Sequence, residues 1–143
     1  MLHLGLSDGS TPYVVPMSYG YELTADGKLT LHLHCAGEGR KLEILRKNPH
    51  VCFEISRKVR LAYDEMTGSC TAKYRSVIGS GRAVIETDVQ DKLRSLEALM
   101  RQAGHTDHPP FDEKLLNMTT TIRIEAAEYA AKSNIAPGEE GCV

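Results

Sequence analysis

Six stretches of this chain alternate apolar with polar residues or concentrate β-branched and aromatic side chains: "LHLGLS", "YVVPMSYGYE", "KLTLHLH", "VCFEISRKVRLAY", "YRSVIGSGRAVIE" and "TTTIRIEAAEY". A period of two marks a strand with one face covered, so the pattern predicts six strands. The turn-rich "SDGSTP" joins the first to the second, and "TADGK" is a hairpin signal between the second and third. Strands joined this closely pair antiparallel. Closure into a small barrel then removes the exposed edges that an open sheet would present.

Two helices interrupt the strands. The first is predicted from Arg40 to Lys47, with Leu42 and Leu45 on one face, ending at "NP". The second starts near Thr87 or Asp88, carries Leu93, Leu96 and Met100 at helical spacing, and stops near Gly104. A shorter helix is expected in "FDEKLLN". The fold class is therefore α+β: a dominant antiparallel sheet with a few peripheral helices.

At 143 residues, with 41% hydrophobic and 25% charged, the chain has the size of one domain able to bury a continuous core. A formal net charge of -2 creates no field that recruits nucleic acid or an anionic membrane, so an anionic ligand must be held by local groups. No apolar run approaches the ~20 residues of a spanning helix. "MLHLGLSDGS" lacks the parts of a signal peptide, and a cytoplasmic protein is expected. Cys35, Cys52, Cys70 and Cys142 show no C-x-x-C spacing and are read as free thiols, Cys52 packing as a small apolar group. Cys142 falls in a tail, residues 134–143, expected to be disordered.

The densest chemistry lies in "LHLHCAGEGRK". Strand alternation points His32 and His34 to one face and Leu31 and Leu33 to the other. Two imidazoles so placed could begin a metal site, but zinc needs three or four converging ligands, and a third would have to come from His3, His50, His105 or His108. The alternative is that His32 is a partly exposed strand residue. After the strand, two glycines lead into a helix that begins with Arg40 and Lys41, where cations oppose the helix dipole at a cost of about 0.3–1 kcal/mol each. A bound anion would reverse that sign, and free N–H groups, glycines and two cations make a phosphate cradle. Both cations extending into water is the competing reading. Pro16, inside a strand, must fall at an edge, a bulge or the end of pairing. Gly79 and Gly81 mark a bulge, a corner or a close backbone approach.

"YVVPMSYGYE", "LTLHLHCAGEGRKLEILRKNPHVCFEI", "YRSVIGSGRA" and "TTTIRIEAAEYAAKS" together resemble the FMN-binding split-barrel proteins of the pyridoxamine 5′-phosphate oxidase-like superfamily, and in particular its nitroimidazole-resistance (Nim) group. The resemblance spans Leu2 to Ser133, beginning inside the family's first strand, without the helical segment that usually precedes it, and implies an FMN-binding split-barrel domain over residues 1–133. It further implies a homodimer with FMN at the subunit interface. Arg40 and Lys41 match the cations on the FMN phosphate, with Gly39 in the same loop. His34 and Cys35 match the strand-end pair beside the cofactor, and His34 is the histidine characteristic of the Nim group. Val15, Pro16, Met17 and Ser18 match the segment along the isoalloxazine, and Ser76 and Val77 match a strand that reaches the cofactor in related oxidases. The basic residues that pyridoxamine phosphate oxidases carry in the "VVPMSYG" segment and their C-terminal Arg motif are missing, so vitamin B6 oxidation is not expected.

Three functions fit these residues. The first is an FMN-dependent oxidoreductase that takes electrons from NAD(P)H or another donor and reduces a small acceptor such as a nitroimidazole or other nitroaromatic. His34 is then the candidate catalytic residue, since an imidazole supplies protons near neutrality, although it could equally only pack against the cofactor. The second is a module that stores or senses FMN. The third is a metal or haem protein using His32 and His34. Spacing supports no nucleophilic triad.

Overall fold

The computed structural model describes residues 1–135, so most of the expected tail, including Cys142, lies outside the described residues. Seven strands and three helices follow in order: β1 (Leu2–Leu6), β2 (Tyr13–Met17), β3 (Tyr19–Leu23), β4 (Leu29–Ala36), α1 (Arg40–Lys47), β5 (His50–Asp64), β6 (Ser69–Ile85), α2 (Val89–Ala103), α3 (Glu113–Met118) and β7 (Thr119–Ser133). The strands form one antiparallel sheet in the order β2-β1-β5-β6-β7-β4-β3. Its two edge strands, β2 and β3, are consecutive in the chain with only Ser18 between them. That link draws the edges together and closes the sheet into a split barrel.

The helix boundaries agree with the sequence pattern, and α2 is capped by Asp88 and ended by Gly104 in the left-handed conformation. "YVVPMSYGYE", read as one strand, is instead two edge strands. An unbroken strand cannot pair at both edges of a sheet, and the break falls at Ser18. β6 also begins earlier than its apolar pattern suggests, because Ser69–Lys73 pairs with Arg60–Asp64 in a hairpin arm beyond the barrel. Pro16 lies on edge strand β2 and the ladder between β6 and β7 is bulged at Ser80/Gly81, each one of the placements its residue type allows.

Alternate side chains fill the barrel: Leu2, Leu4 and Leu6 from β1, Leu29, Leu31 and Leu33 from β4, Ile122 and Ile124 from β7, and Phe53 from β5. Leu42, Ile44 and Leu45 of α1 join the same core. Gly79 admits the Phe53 ring: a Cβ there would overlap it. Cys52 is exposed, contrary to the apolar packing expected of it. Val51 and Phe53 take the inward positions, which turns the thiol out beside Gly5, whose missing side chain makes room for Sγ.

α2 lies against the outer face of β3 and β4. It rests there on Ser95, Leu96, Ala98 and Leu99, whereas Leu93 and Met100, from the expected face, are half-buried. Gly20 makes the close approach possible, since a Cβ on it would collide with the backbone carbonyl of Ala98. Among the described residues no helix is long and apolar enough to cross a membrane. Gly20→Ala is expected to destabilise the fold by about 1–3 kcal/mol through overpacking beneath α2, measured by urea unfolding. A variant as stable as the parent would show that α2 does not bear on this strand.

Candidate functional site

Pairing of β3 with β4 begins at Tyr19 opposite Leu33, so the last residues of β4 have no β3 partner and pair only with β7. β2, on the other side of Ser18, pairs only with β1. The outer edge of β2 and the end of β4 are thus the two lips of a fork that starts at Ser18 and opens toward α1. At its wide end the Arg40 guanidinium stacks on the Tyr13 ring of β2, with its centre 4.9 Å from the ring centroid.

Nine of the predicted site residues surround this fork. Val15 packs against the core, Met17 is buried, and Pro16 and Ser18 are exposed on the β2 lip. His34 is exposed on the β4 lip, and Cys35 next to it turns inward against the core. Gly39, Arg40 and Lys41 form the connection into α1.

The three helix starts differ. The Asp88 carboxylate accepts hydrogen bonds from the Gln90 and Asp91 amides at 2.8 and 3.2 Å, and Asp112 accepts one from Leu115 at 2.6 Å. α1 has no side-chain cap: its N-cap is Gly39, at φ 132°, a conformation that favours glycine. Two aspartates neutralise the positive ends of α2 and α3, while two cations are added to that of α1. Uncapped amides with Arg40 and Lys41 beside them are a donor set suited to a phosphate group.

Ser76 and Val77 stand apart from these cations. Val77 pairs with Ile55, itself opposite Leu2, whereas Arg40 contacts Tyr13, opposite Leu6. The four-residue length of β1 between those levels is about 13 Å. Ser76 and Val77 instead line a cleft of about 590 Å³ that opens beyond Ser18, walled by Tyr19, Tyr21 and Ile55, with Arg57 among its cations.

His32 does not join His34. It is fully buried under α2, which overturns both the metal pair and the partly exposed strand residue. Among the described residues no group of three His, Cys, Asp or Glu side chains is placed to hold a metal ion. Ser95 of α2 donates its single hydroxyl proton to Glu86 Oε2 at 2.6 Å and so accepts one from His32 Nδ1 at 2.8 Å. Arg123 faces the other Glu86 oxygen at 3.3 Å. His32 Nε2 is left with no hydrogen bond, 3.7 Å from Glu22 Oε2. Glu22 is held by Arg94, whose hydrogen bonds keep its carboxyl below the usual range, and Arg101 lies 3.7 Å away. Glu22, His32 and Ser95 mimic an acid–imidazole–hydroxyl series, yet Ser95 is fully buried with its proton committed to Glu86. Three small residues gave the available sequence signal: Gly20 on the strand, and Ser95 with Ala98 at helical spacing.

The chain belongs to the pyridoxamine 5′-phosphate oxidase family, whose profile matches residues 1–133. Among solved structures it is similar to a candidate 5-nitroimidazole antibiotic resistance protein of Bacteroides thetaiotaomicron, at 27% identity and TM-score 0.77, covering 91% of this chain and 74% of that one. It is also similar to a candidate pyridoxamine 5′-phosphate oxidase of Listeria innocua, at 25% identity and TM-score 0.57, covering 91% and 86%. The flavocytochrome Anf3 of Azotobacter vinelandii shares the fold at 22% identity and TM-score 0.71, over 95% of this chain and 62% of that one. No curated protein matches the sequence.

Burial pushes the His32 imidazole below its ordinary value, against the opposing pull of Glu22 and Glu86. A depressed histidine stabilises the fold fully above the unfolded value near 6.5, and that contribution is lost as pH falls through the lower folded value. Unfolding from pH 7.5 downward should show the wild type losing stability faster than His32→Gln, by at most about 1.4 kcal/mol per pH unit. Parallel pH profiles would remove His32 as the titrating group.

Proposed function

We propose that the fork is a binding site for FMN and that the protein is an FMN-dependent oxidoreductase working as a homodimer. The observation that carries this reading is the start of α1: an uncapped helix end with Arg40 and Lys41, at the mouth of a slot between two unpaired strand edges. Arg40 and Lys41 hold the phosphate, and Gly39 lets it approach the backbone. Val15, Pro16, Met17 and Ser18 on one lip, and His34 and Cys35 on the other, lie along the body of the cofactor. FMN would supply hydride and single-electron transfer at this site. His34, exposed at the narrow end, holds or releases a proton for the acceptor. The resemblance to a candidate nitroimidazole-resistance protein favours a small nitroaromatic acceptor, with NAD(P)H or another cellular donor of electrons.

Two features support the dimer. Ser76 and Val77 lie a strand's length from the cations, so one chain holds the expected cofactor residues in two places and a second copy completes them. The arm also leaves Leu61 and Tyr63 exposed on one face, 76% and 66%, with Ile78 at 58% further along the sheet. Such a surface is covered when two copies associate.

A purified protein with a flavin absorbance spectrum is the first expectation. Arg40→Ala and Lys41→Ala should each weaken FMN binding by roughly tenfold to a hundredfold, the worth of one charge-assisted hydrogen bond, measured by fluorescence titration. Wild-type affinity in both variants would refute the phosphate assignment. Bound FMN without oxidation of NAD(P)H or reduction of any nitro acceptor would make the protein a flavin carrier. Light scattering of the FMN-loaded protein should report a dimer.

A further inference from the structure

Thr121 is fully buried, and its hydroxyl has no hydrogen-bond partner. A buried hydroxyl left unpaired is costly, which makes its neighbours worth identifying. On one side is Glu86, whose amide donates to the Thr121 carbonyl at 3.1 Å. On the other is His34, directly opposite Thr121 in the β4–β7 register. Directly opposed residues of an antiparallel pair project to one face with Cβ atoms about 4.5–5.5 Å apart. Glu86, just past the end of β6, Thr121 on β7 and His34 on β4 therefore form a single row. His32 and Arg123 form the next row, and there every hydroxyl and carboxylate is engaged: Ser95 bridges His32 to Glu86, and Arg123 meets Glu86.

We infer that Thr121 is a positioning residue for His34: a rotation of the two side chains pairs its free hydroxyl with a ring nitrogen of the imidazole and holds the ring at the narrow end of the fork in one orientation. At the Cβ separation of an opposed pair, side-chain rotation alone brings the hydroxyl and the imidazole Nδ1 within bonding range. A hydroxyl both donates and accepts, so it can pair with either neutral tautomer. The anchor itself is rigid, because β7 is fixed on this face by the Glu86–Arg123 contact and sealed by α2. An exposed histidine on a strand end otherwise samples several rotamers, and a proton donor is useful only when its nitrogen stays aimed at the acceptor. This inference rests on the reading of His34 as the proton-bearing residue, but the hydrogen bond itself does not require that any flavin binds.

The test compares Thr121→Val, which keeps shape and loses the hydroxyl, with Thr121→Ser, which keeps the hydroxyl. Nitrogen-15 spectra of the purified protein should show His34 ring-nitrogen signals displaced by a hydrogen bond in the wild type and in Thr121→Ser, and shifted away from those positions in Thr121→Val. Unfolding should give a double-mutant cycle with His34→Ala in which the two changes are not additive, with a coupling of about fivefold in the unfolding constant, as for one net hydrogen bond. In the FMN-loaded protein Thr121→Val should lower kcat for nitro acceptors more than it raises KM, and Thr121→Ser should restore it. Identical His34 spectra in the wild type and Thr121→Val, or a higher unfolding midpoint in Thr121→Val, would overturn the inference, because a hydroxyl without a partner is better removed. Altered His34 spectra in a protein that does not bind FMN would leave the positioning intact and refute the function instead.

Discussion

Everything in this fold depends on the chain crossing from one edge of its sheet to the other through a single residue. β2 and β3 are the outermost strands, yet Ser18 alone separates them, so the sheet cannot lie open. Barrels usually remove edges by pairing them. Here β3 pairs with β4 and β2 with β1, and the two part company at Ser18, so closure is covalent at one point and absent beyond it. The fork is the geometrical remainder of that closure. A binding slot thus arises without a cavity being carved from the core, and the backbone groups along its lips are those that no neighbouring strand has taken.

Electrostatics then distinguishes this slot from the rest of the surface. All three helices face the same problem at their N-termini, and two solve it with an aspartate cap. The third receives a glycine and two cations, an arrangement that raises the positive potential where the fork is widest. Arg40 is partly tied down by the Tyr13 ring, which orders its guanidinium before any ligand arrives and lowers the entropy lost on binding. The acidic and basic side chains around His32 are arranged with the opposite purpose, since they balance one another, with Glu86 buried beneath α2 and Arg94 and Arg101 reaching Glu22 from the solvent side.

Local patterns in the sequence were informative wherever a residue's own covalent structure limits its choices. Asp88 and Gly104 marked helix ends because capping and left-handed backbone are properties of single residues. Pro16 was confined to an edge, a bulge or the end of pairing, and Gly81 to a bulge, a corner or a close approach, for the same reason; the fold takes the edge for the first and the bulge for the second. Arg40 and Lys41 were conspicuous because their charge is unfavourable where the helix begins. What could not be read was the partner of each face. Alternation correctly put His32 and His34 on one side of β4, but only the three-dimensional path of α2 decides that the first is sealed and the second open. The strand signal in "YVVPMSYGYE" is continuous, and nothing local reports that the sheet runs out at Ser18. Cys52 likewise depends on Gly5, a residue far from it in sequence, having left space on the outer face.

The alternation of the fork lips also separates two kinds of heritable change. Pro16, Ser18, His34 and Arg40 are exposed, while Leu33 and Leu42, neighbours of the last two, are buried in the barrel. Substitutions at the first group alter what the slot presents and remove almost no core contact. Substitutions at the second alter stability and leave the lining chemistry in place. A lineage carrying this scaffold can therefore diversify the molecules it recognises with little of the destabilisation that accompanies changes in an enclosed pocket, where lining and core are the same side chains. The split is in this sense a source of evolutionary latitude as well as of binding.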